Sequence, residues 1–148
     1  MTSEPTIINL LKDHDLRITN SRMDTLRVFV NNHFALSQPE LEKNLGDEYD
    51  RVTIYRTLTS FLEKGLIHKV LDDAGAAKYA LCTHEHSGHE HSDEHIHFKC
   101  VQCGNTHCLD SLQLPNMVAL EGYTFIDTQI LIHGLCLECN RKGAANIA

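Results

Sequence analysis

Apolar residues recur at helical spacing through most of the first half of this chain. This pattern predicts four helices, over residues 7–14, 20–32, 37–45 and 51–65. Thr19 and Asp50 precede two of them and are residue types that favour helix N-caps. Ser37 is followed three residues later by Glu40, which is the spacing of a capping box. The start signals and the periodicity therefore agree on a helical first half.

Two short extended runs, LIHKVLDD and AAKYALC, follow the fourth helix and meet at turn residues around Gly75. Helices followed by a two-stranded hairpin are typical of a winged helix-turn-helix. Further on, residues 96–100, 105–110 and 123–136 have strand-like patterns, and a short helix is expected near Leu114–Glu121. The second half therefore resembles a small α/β module.

These patterns divide the chain into three parts. We predict an α+β protein with a winged-helix domain at 1–82, a histidine-rich hinge at 83–94 and a small α/β domain at 95–148. The last part is too short to bury a large core, so we expect bound metal to stabilise it.

Composition is that of a globular chain, with 42% hydrophobic residues among 148. The sequence has no apolar run of about 18 residues and no basic start followed by an apolar stretch, which predicts no membrane span and no secretory signal. We therefore expect a cytoplasmic protein, in which thiols stay reduced and paired cysteines more often bind metal than form disulfides.

The net charge of −7 disfavours binding to nucleic acid at first sight. The acidic excess, however, is concentrated after residue 80, and the first 80 residues carry most of the lysines and arginines. A DNA-binding first half therefore remains possible if it presents a local basic face.

Two Cys-x-x-Cys pairs, Cys100/Cys103 and Cys136/Cys139, form the strongest chemical signal in the chain. Four thiolates in two tight pairs are the ligand set of a closed tetrahedral zinc site, with Zn–S distances of about 2.3 Å. The alternative is a redox disulfide pair. A surplus of histidines before Cys100 indicates a second, regulated metal.

The fourth helix predicts a DNA-recognition surface. Its Ile54, Leu58, Phe61 and Leu62 share one face, whereas Arg51, Tyr55 and Thr59 share another, with Arg56 beside them. Arginine can contact phosphate or pair with guanine, and tyrosine can pack on a thymine methyl group. An ordinary solvated helix surface is the alternative.

Two other classes of metalloprotein fit this sequence less well. A zinc hydrolase or deaminase is disfavoured because the HExxH motif and the HxE partner of zinc deaminases are absent. We therefore predict no enzymatic activity and no small-molecule substrate. A metal-storage or interaction module would explain the cysteines and histidines but would leave the Tyr55–Arg56 helix without a role.

Four blocks together resemble the ferric uptake regulator family of metal-dependent repressors: LRITNSR at 16–22, RVTIYRTLTSFLEKGLIHKV at 51–70, HIHFKCVQCG at 95–104 and GLCLEC at 134–139. The resemblance implies a winged-helix DNA-binding domain, a hinge and a dimerisation domain, acting as a homodimer on operator DNA. It assigns DNA contacts to Tyr55 and Arg56, and backbone or minor-groove contacts to Arg17 and Arg22. It makes the four paired cysteines a structural zinc site.

The resemblance also implies a regulatory metal site made by His68, Cys82, His95 and His97. One thiolate and three imidazoles suit tetrahedral zinc better than iron(II) or manganese(II), which favour more ligands and more carboxylate oxygen. The chain is thus most similar to the zinc uptake regulator branch, and iron(II) sensing is the alternative.

The sequence allows two roles each for Cys108 and for four additional histidines. Cys108 stands where many members of the family carry a ligating glutamate, so it either replaces Cys82 or one of the histidines as a ligand or is a buried apolar residue. The extra histidines are either a polar loop or a metal-capture segment: His84, His86, His89 and His91.

Overall fold

The computed structural model of the chain describes residues 3–70, 73, 75–82, 96–109, 112, 120–126 and 128–143. The chain forms two compact units, residues 1–82 and 83–148. The predicted hinge and its histidines lie outside the described residues, as does most of the helix expected near Leu114–Glu121, whose last two residues are not helical. Within the described ranges, no helix is both long enough and apolar enough to cross a bilayer.

Four helices form the first unit: α1 (Glu4–Asp13), α2 (Asn20–Asn31), α3 (Gln38–Leu45) and α4 (Arg51–Glu63). The predicted helices are confirmed, although α1 begins three residues earlier than expected. Pro5 lies in its first turn, where a missing N–H leaves no intrahelical hydrogen bond unmade. Apolar periodicity alone did not detect this polar first turn.

The predicted helix caps are confirmed. The Thr19 hydroxyl accepts from the backbone N–H of Arg22 at 3.3 Å. The Ser37 hydroxyl accepts from the N–H of Glu40, whose carboxylate in turn accepts from the N–H of Ser37 at 2.7 Å. Asp50 accepts from the N–H of Thr53 at 2.7 Å. These bonds fix where α2, α3 and α4 begin.

A three-stranded antiparallel sheet completes the first unit, in the order β1 (Leu36–Ser37), β3 (Lys78–Leu81), β2 (Ile67–Val70). The predicted hairpin of β2 and β3 is confirmed, whereas the two-residue strand β1 was not predicted. Helices α3 and α4 followed by this hairpin make a winged helix-turn-helix.

One hydrophobic core holds the helices and the wing of the first unit together. Its side chains come from every helix and from β2, and each buried aliphatic or aromatic group stabilises the fold by about 1.5–3 kcal/mol. The buried residues of this core are Ile7, Leu11, Leu16, Leu26, Phe29, Leu36, Leu41, Ile54, Leu58, Phe61, Leu66 and Ile67. The unit is therefore a rigid support for the exposed face of α4.

The second unit contains a sheet of β5 (Thr106–Cys108), β4 (Ile96–Cys100) and β6 (Ile130–Gly134), followed by α5 (Leu137–Arg141). The central strand β4 is antiparallel to β5 and parallel to β6. The strand predicted from Tyr123 is wrong over 123–126, which are exposed and outside any strand, and α5 was not predicted.

Gly134 allows β4 and β6 to pack closely beside the first cysteine pair. It lies opposite Cys100 in the sheet, and a Cβ atom there would come within 3.0 Å of the Phe98 ring. A side chain at position 134 would therefore force the ring or the strand to move.

We expect Gly134→Ala to lower the free energy of unfolding of the zinc-loaded protein by about 1–3 kcal/mol, the usual range for overpacking. Urea unfolding followed by circular dichroism measures this. Adding Phe98→Leu should relieve the contact and restore part of the loss. Strictly additive losses in the double variant would contradict the assigned contact.

Candidate metal centres and nucleic-acid interface

The structure brings the four paired cysteines together in the second unit. The sulfur atoms of Cys100, Cys103, Cys136 and Cys139 all lie within 4.8 Å of one another. Cys100 ends β4 and is fully buried, and Cys139 lies in α5 and is 7% exposed. The cluster thus joins the sheet to the C-terminal helix.

Local backbone structure shapes each half of this cluster. The N–H of Gly104 donates to the carbonyl of Cys100 at 2.9 Å, and Gly104 has a φ of +77°, which favours glycine. In the other half, Cys136 is the N-cap of α5, and the N–H of Asn140 donates to its carbonyl at 2.9 Å. Each two-residue spacer therefore forms a turn that directs both sulfurs to one point.

The separations fit zinc and not disulfides. The Cys103 and Cys136 sulfurs lie 4.0 Å apart. Sulfurs arranged tetrahedrally around zinc at 2.3 Å would lie about 3.8 Å apart, whereas a disulfide needs about 2.05 Å. None of the six cysteines of the chain forms a disulfide. Four sulfur donors in this arrangement could hold a divalent metal such as zinc.

The cysteines of the cluster differ in how readily their sulfurs lose a proton. Burial raises the pKa of Cys100, but backbone N–H groups of Cys103, Cys136 and Gln102 donate to its sulfur and bring the pKa down to about 6. The pKa of Cys139 is raised to about 12 by its hydrogen bond with Cys136 and by burial. The Cys100 thiolate thus forms readily, whereas Cys139 would lose its proton only when a cation binds, so metal binding at this cluster would release protons.

A second sulfur–imidazole pair lies in the wing of the first unit. Nδ1 of His68 in β2 lies 3.3 Å from the sulfur of Cys82, which follows β3. The hydrogen bond from the N–H of Cys82 to the carbonyl of Leu66 holds the two strands in this register. The pair therefore offers one nitrogen and one sulfur from a rigid hairpin.

A third pair lies in the second unit. His97 is 3% exposed and stands directly opposite Cys108 in the antiparallel pairing of β4 with β5. Side chains directly opposite each other share one face of a sheet, and the ligand atoms of these two lie within 4.8 Å of each other. Cys108 is half-buried, so its role as an ordinary core residue is not favoured. The predicted ligand His95 lies outside the described residues.

The exposed face of α4 carries the predicted DNA-binding pair. Tyr55 is 59% exposed and Arg56 is also exposed. Ile54 and Leu58, on the opposite face, are buried, and each is 2% exposed or less. The helix is therefore held by its apolar face and presents the tyrosine and the arginine outward.

The other arginines predicted to bind DNA differ in the hydrogen bonds and ion pairs that they form within the protein. Arg22 donates to the carbonyl of Arg17 at 2.9 Å and to the Ser60 hydroxyl at 3.3 Å, which joins the segment before α2 to α4. Arg51 forms an ion pair with Glu42 at 3.3 Å, although its side chain is 81% exposed. The Arg51 charge is thus partly compensated within the protein.

Comparison with known proteins adds independent information. Residues 13–133 match the ferric uptake regulator family. The chain is 31% identical over 141 residues to the ferric uptake regulation protein of Neisseria meningitidis serogroup A, with 90% of this chain and 92% of the relative covered.

Solved structures share the fold. A zinc uptake regulator complexed with zinc and DNA superposes with a TM-score of 0.65 at 23% identity, covering 98% of this chain and 100% of that one. The ferric uptake regulator of Vibrio cholerae gives a TM-score of 0.59 at 24% identity, covering 86% of this chain and 98% of that one.

Proposed function

The chain belongs to the ferric uptake regulator family, and from this premise we propose that it is a cytoplasmic zinc-sensing repressor that binds operator DNA as a homodimer. In this role the four-cysteine site is structural and a second metal is the signal. The observation that carries the choice of zinc is the His68–Cys82 pair, with Nδ1 and sulfur 3.3 Å apart in the wing. Sulfur and imidazole ligands favour zinc over iron(II) or manganese(II).

The regulatory ligands in this proposal come from both units. His68 and Cys82 supply one pair, and His97 supplies a further imidazole together with His95. We infer that Cys108 supplies a second thiolate in place of one of the imidazoles, because it faces His97 across β4 and β5, which keeps four ligands for tetrahedral zinc. The proposed ligands are all nitrogen or sulfur donors, and such donors favour a metal softer than manganese(II).

Metal dependence follows if one ion is ligated by residues of both units. The ion must bind the DNA-competent arrangement better than other arrangements, and this difference in affinity limits how far the population shifts. Two recognition helices of a dimer must also match half-sites roughly 34 Å apart. Zinc would thus act by fixing the separation of the two α4 helices.

A homodimer is supported by the distribution of apolar side chains. The second unit exposes many large apolar residues for its size, and extensive exposed apolar surface marks interaction sites. Those residues are Val101, Leu112, Leu120, Tyr123, Phe125, Ile126, Ile132 and Leu137. Ile126, at 97% exposure, is the most exposed of them.

Iron(II) sensing is the second candidate, since curated relatives such as that of Neisseria meningitidis are named ferric uptake regulation proteins. Both candidates predict metal-dependent DNA binding and differ only in the metal. The same experiment therefore decides between them.

The deciding experiment is a metal titration of the dimer that retains its structural zinc. The probe is a fluorescent duplex selected from a randomised library by the metal-loaded protein, and anisotropy reports binding. We expect buffered zinc to raise the affinity roughly 100-fold, near the upper range of allosteric coupling. A stronger response to iron(II) under anaerobic conditions would assign the iron branch, and no response to any metal would refute the proposal.

Variants of the sulfur ligands test the site itself. Cys82→Ala should abolish the zinc response, whereas His14→Ala should keep it because that imidazole bonds to the carbonyl of Leu10 within α1. With cobalt(II) in the regulatory site, Cys82→Ser and Cys108→Ser should each remove about half of the thiolate-to-cobalt absorption expected of two sulfur ligands. An unchanged spectrum in Cys108→Ser would exclude that sulfur.

A further inference from the structure

An exposed apolar residue lies on the same face of α4 as the predicted recognition residues. Val52 is 54% exposed, one helical turn before Tyr55. Among the described residues of the first unit, the exposed large apolar side chains are Ile18, Val52 and Tyr55. Val52 and Tyr55 are therefore neighbours on the helix that is proposed to enter the major groove of DNA.

The exposure of Val52 is not required by folding. The buried face of α4 is made by Ile54, Leu58 and Phe61, each 2% exposed or less. Valine has a lower helix propensity than alanine because its branched side chain loses rotamer freedom. Val52 thus contributes little to the core and slightly disfavours the helix.

The position of Val52 matches base recognition. It is the second residue of α4, whose first residue is Arg51, and N-terminal residues of a recognition helix contact base edges. Val52, Tyr55, Arg56 and Thr59 follow the spacing i, i+3, i+4, i+7, which places them on one stripe of the helix surface. Arg56 lies beside the apolar pair and provides positive charge that attracts the phosphate backbone. Arg51, whose charge is partly compensated by Glu42, precedes the pair.

We propose that Val52 is a specificity-determining residue that packs on the methyl group of a thymine in the major groove. The thymine methyl is the apolar group that base pairs present on that groove, so an exposed apolar pair on a recognition helix fits it. Val52 and Tyr55 then select thymines at neighbouring positions of a half-site, and Arg56 contacts guanine or phosphate beside them. This inference rests on the proposed DNA-binding function.

The test replaces thymines of the selected duplex, one at a time, with deoxyuridine, which removes only the 5-methyl group. Wild-type protein should lose roughly three- to tenfold in affinity at the thymine that Val52 contacts. Val52→Ala should bind the unmodified duplex equally weakly and should be insensitive to deoxyuridine at that position. It should keep its sensitivity at the thymine that Tyr55 contacts.

Two controls separate loss of contact from loss of structure. Alanine favours the helix more than valine, so weaker binding by Val52→Ala is not caused by unfolding of α4. Glu63→Ala changes an exposed residue at the other end of the same helix and should bind as wild type does.

Two results would overturn the assignment of Val52. One is a Val52→Ala variant with unchanged affinity and unchanged deoxyuridine sensitivity. The other is an equal loss on every duplex, selected or random, because a contact with the DNA backbone does not distinguish sequences. If wild-type protein binds no duplex with any metal, the proposed function fails instead, so the two failures are distinguishable.

Discussion

Replacing Cys100 by serine is expected to release the structural zinc and unfold the second unit. Cys100 is fully buried where β4 ends, and its sulfur lies within 4.8 Å of the other three. Structural zinc contributes on the order of 10 kcal/mol to the folding of small domains. Among the described residues of this unit, the other buried side chains are Ile96, His97, Thr106 and Cys139, and we expect this packing alone to be too small to replace that contribution.

Zinc content by mass spectrometry, circular dichroism and sedimentation would measure the loss of metal, structure and dimer in Cys100→Ser. Gln102→Ser is the matched control, since it changes an exposed residue inside the same turn and keeps all four sulfurs. If Cys100→Ser retained its zinc and unfolded at the urea concentration of wild type, the structural role of this site would be disproved.

The second large effect is expected for Arg56→Ala, which should weaken operator binding roughly tenfold to a hundredfold. The exposed guanidinium on α4 is proposed to contact guanine or phosphate, and its removal leaves the buried face of the helix unchanged. Zinc content and thermal unfolding should match those of wild type. Anisotropy with the selected duplex, at several salt concentrations, gives the affinity and its salt dependence.

Arg56→Lys distinguishes the two kinds of contact. Lysine keeps the charge but cannot form the two parallel hydrogen bonds of a guanidinium. A phosphate contact should survive this change largely intact, whereas a guanine contact should be weakened and its base preference relaxed. Wild-type affinity in Arg56→Ala would exclude the proposed interface.

The helices of the first unit could be predicted because their signals are local. A cap such as Ser37 and its partner Glu40 are three residues apart, so the sequence shows both members of the interaction. The strand β1 could not be predicted in the same way. Its two residues become a strand by pairing with Lys78 and Tyr79, which are remote in sequence.

The four-cysteine cluster was predictable for a similar reason, because each Cys-x-x-Cys pair is a local motif. The partnership of His97 with Cys108 was not, since it depends on the register that β4 and β5 adopt across the turn at Gly104. Val52 was missed because an apolar residue within a helix is usually assigned to the core. Its spacing from Tyr55 was the available signal.

Strand β4 carries one proposed ligand of each metal site, which implies an order in which the two sites are filled. His97 lies three residues before Cys100, so the two side chains point to opposite faces of one strand about 10 Å apart. The proposed sensing imidazole of His97 is held in place only when this strand is folded, and we expect folding of this unit to depend on the metal proposed to bind at Cys100. In the proposed function the structural site must therefore be filled before the regulatory one can respond. In the proposed function, a chain that lacks its four-cysteine zinc would leave operators unoccupied, as zinc starvation does, and it would respond to rising zinc only after that first ion is bound.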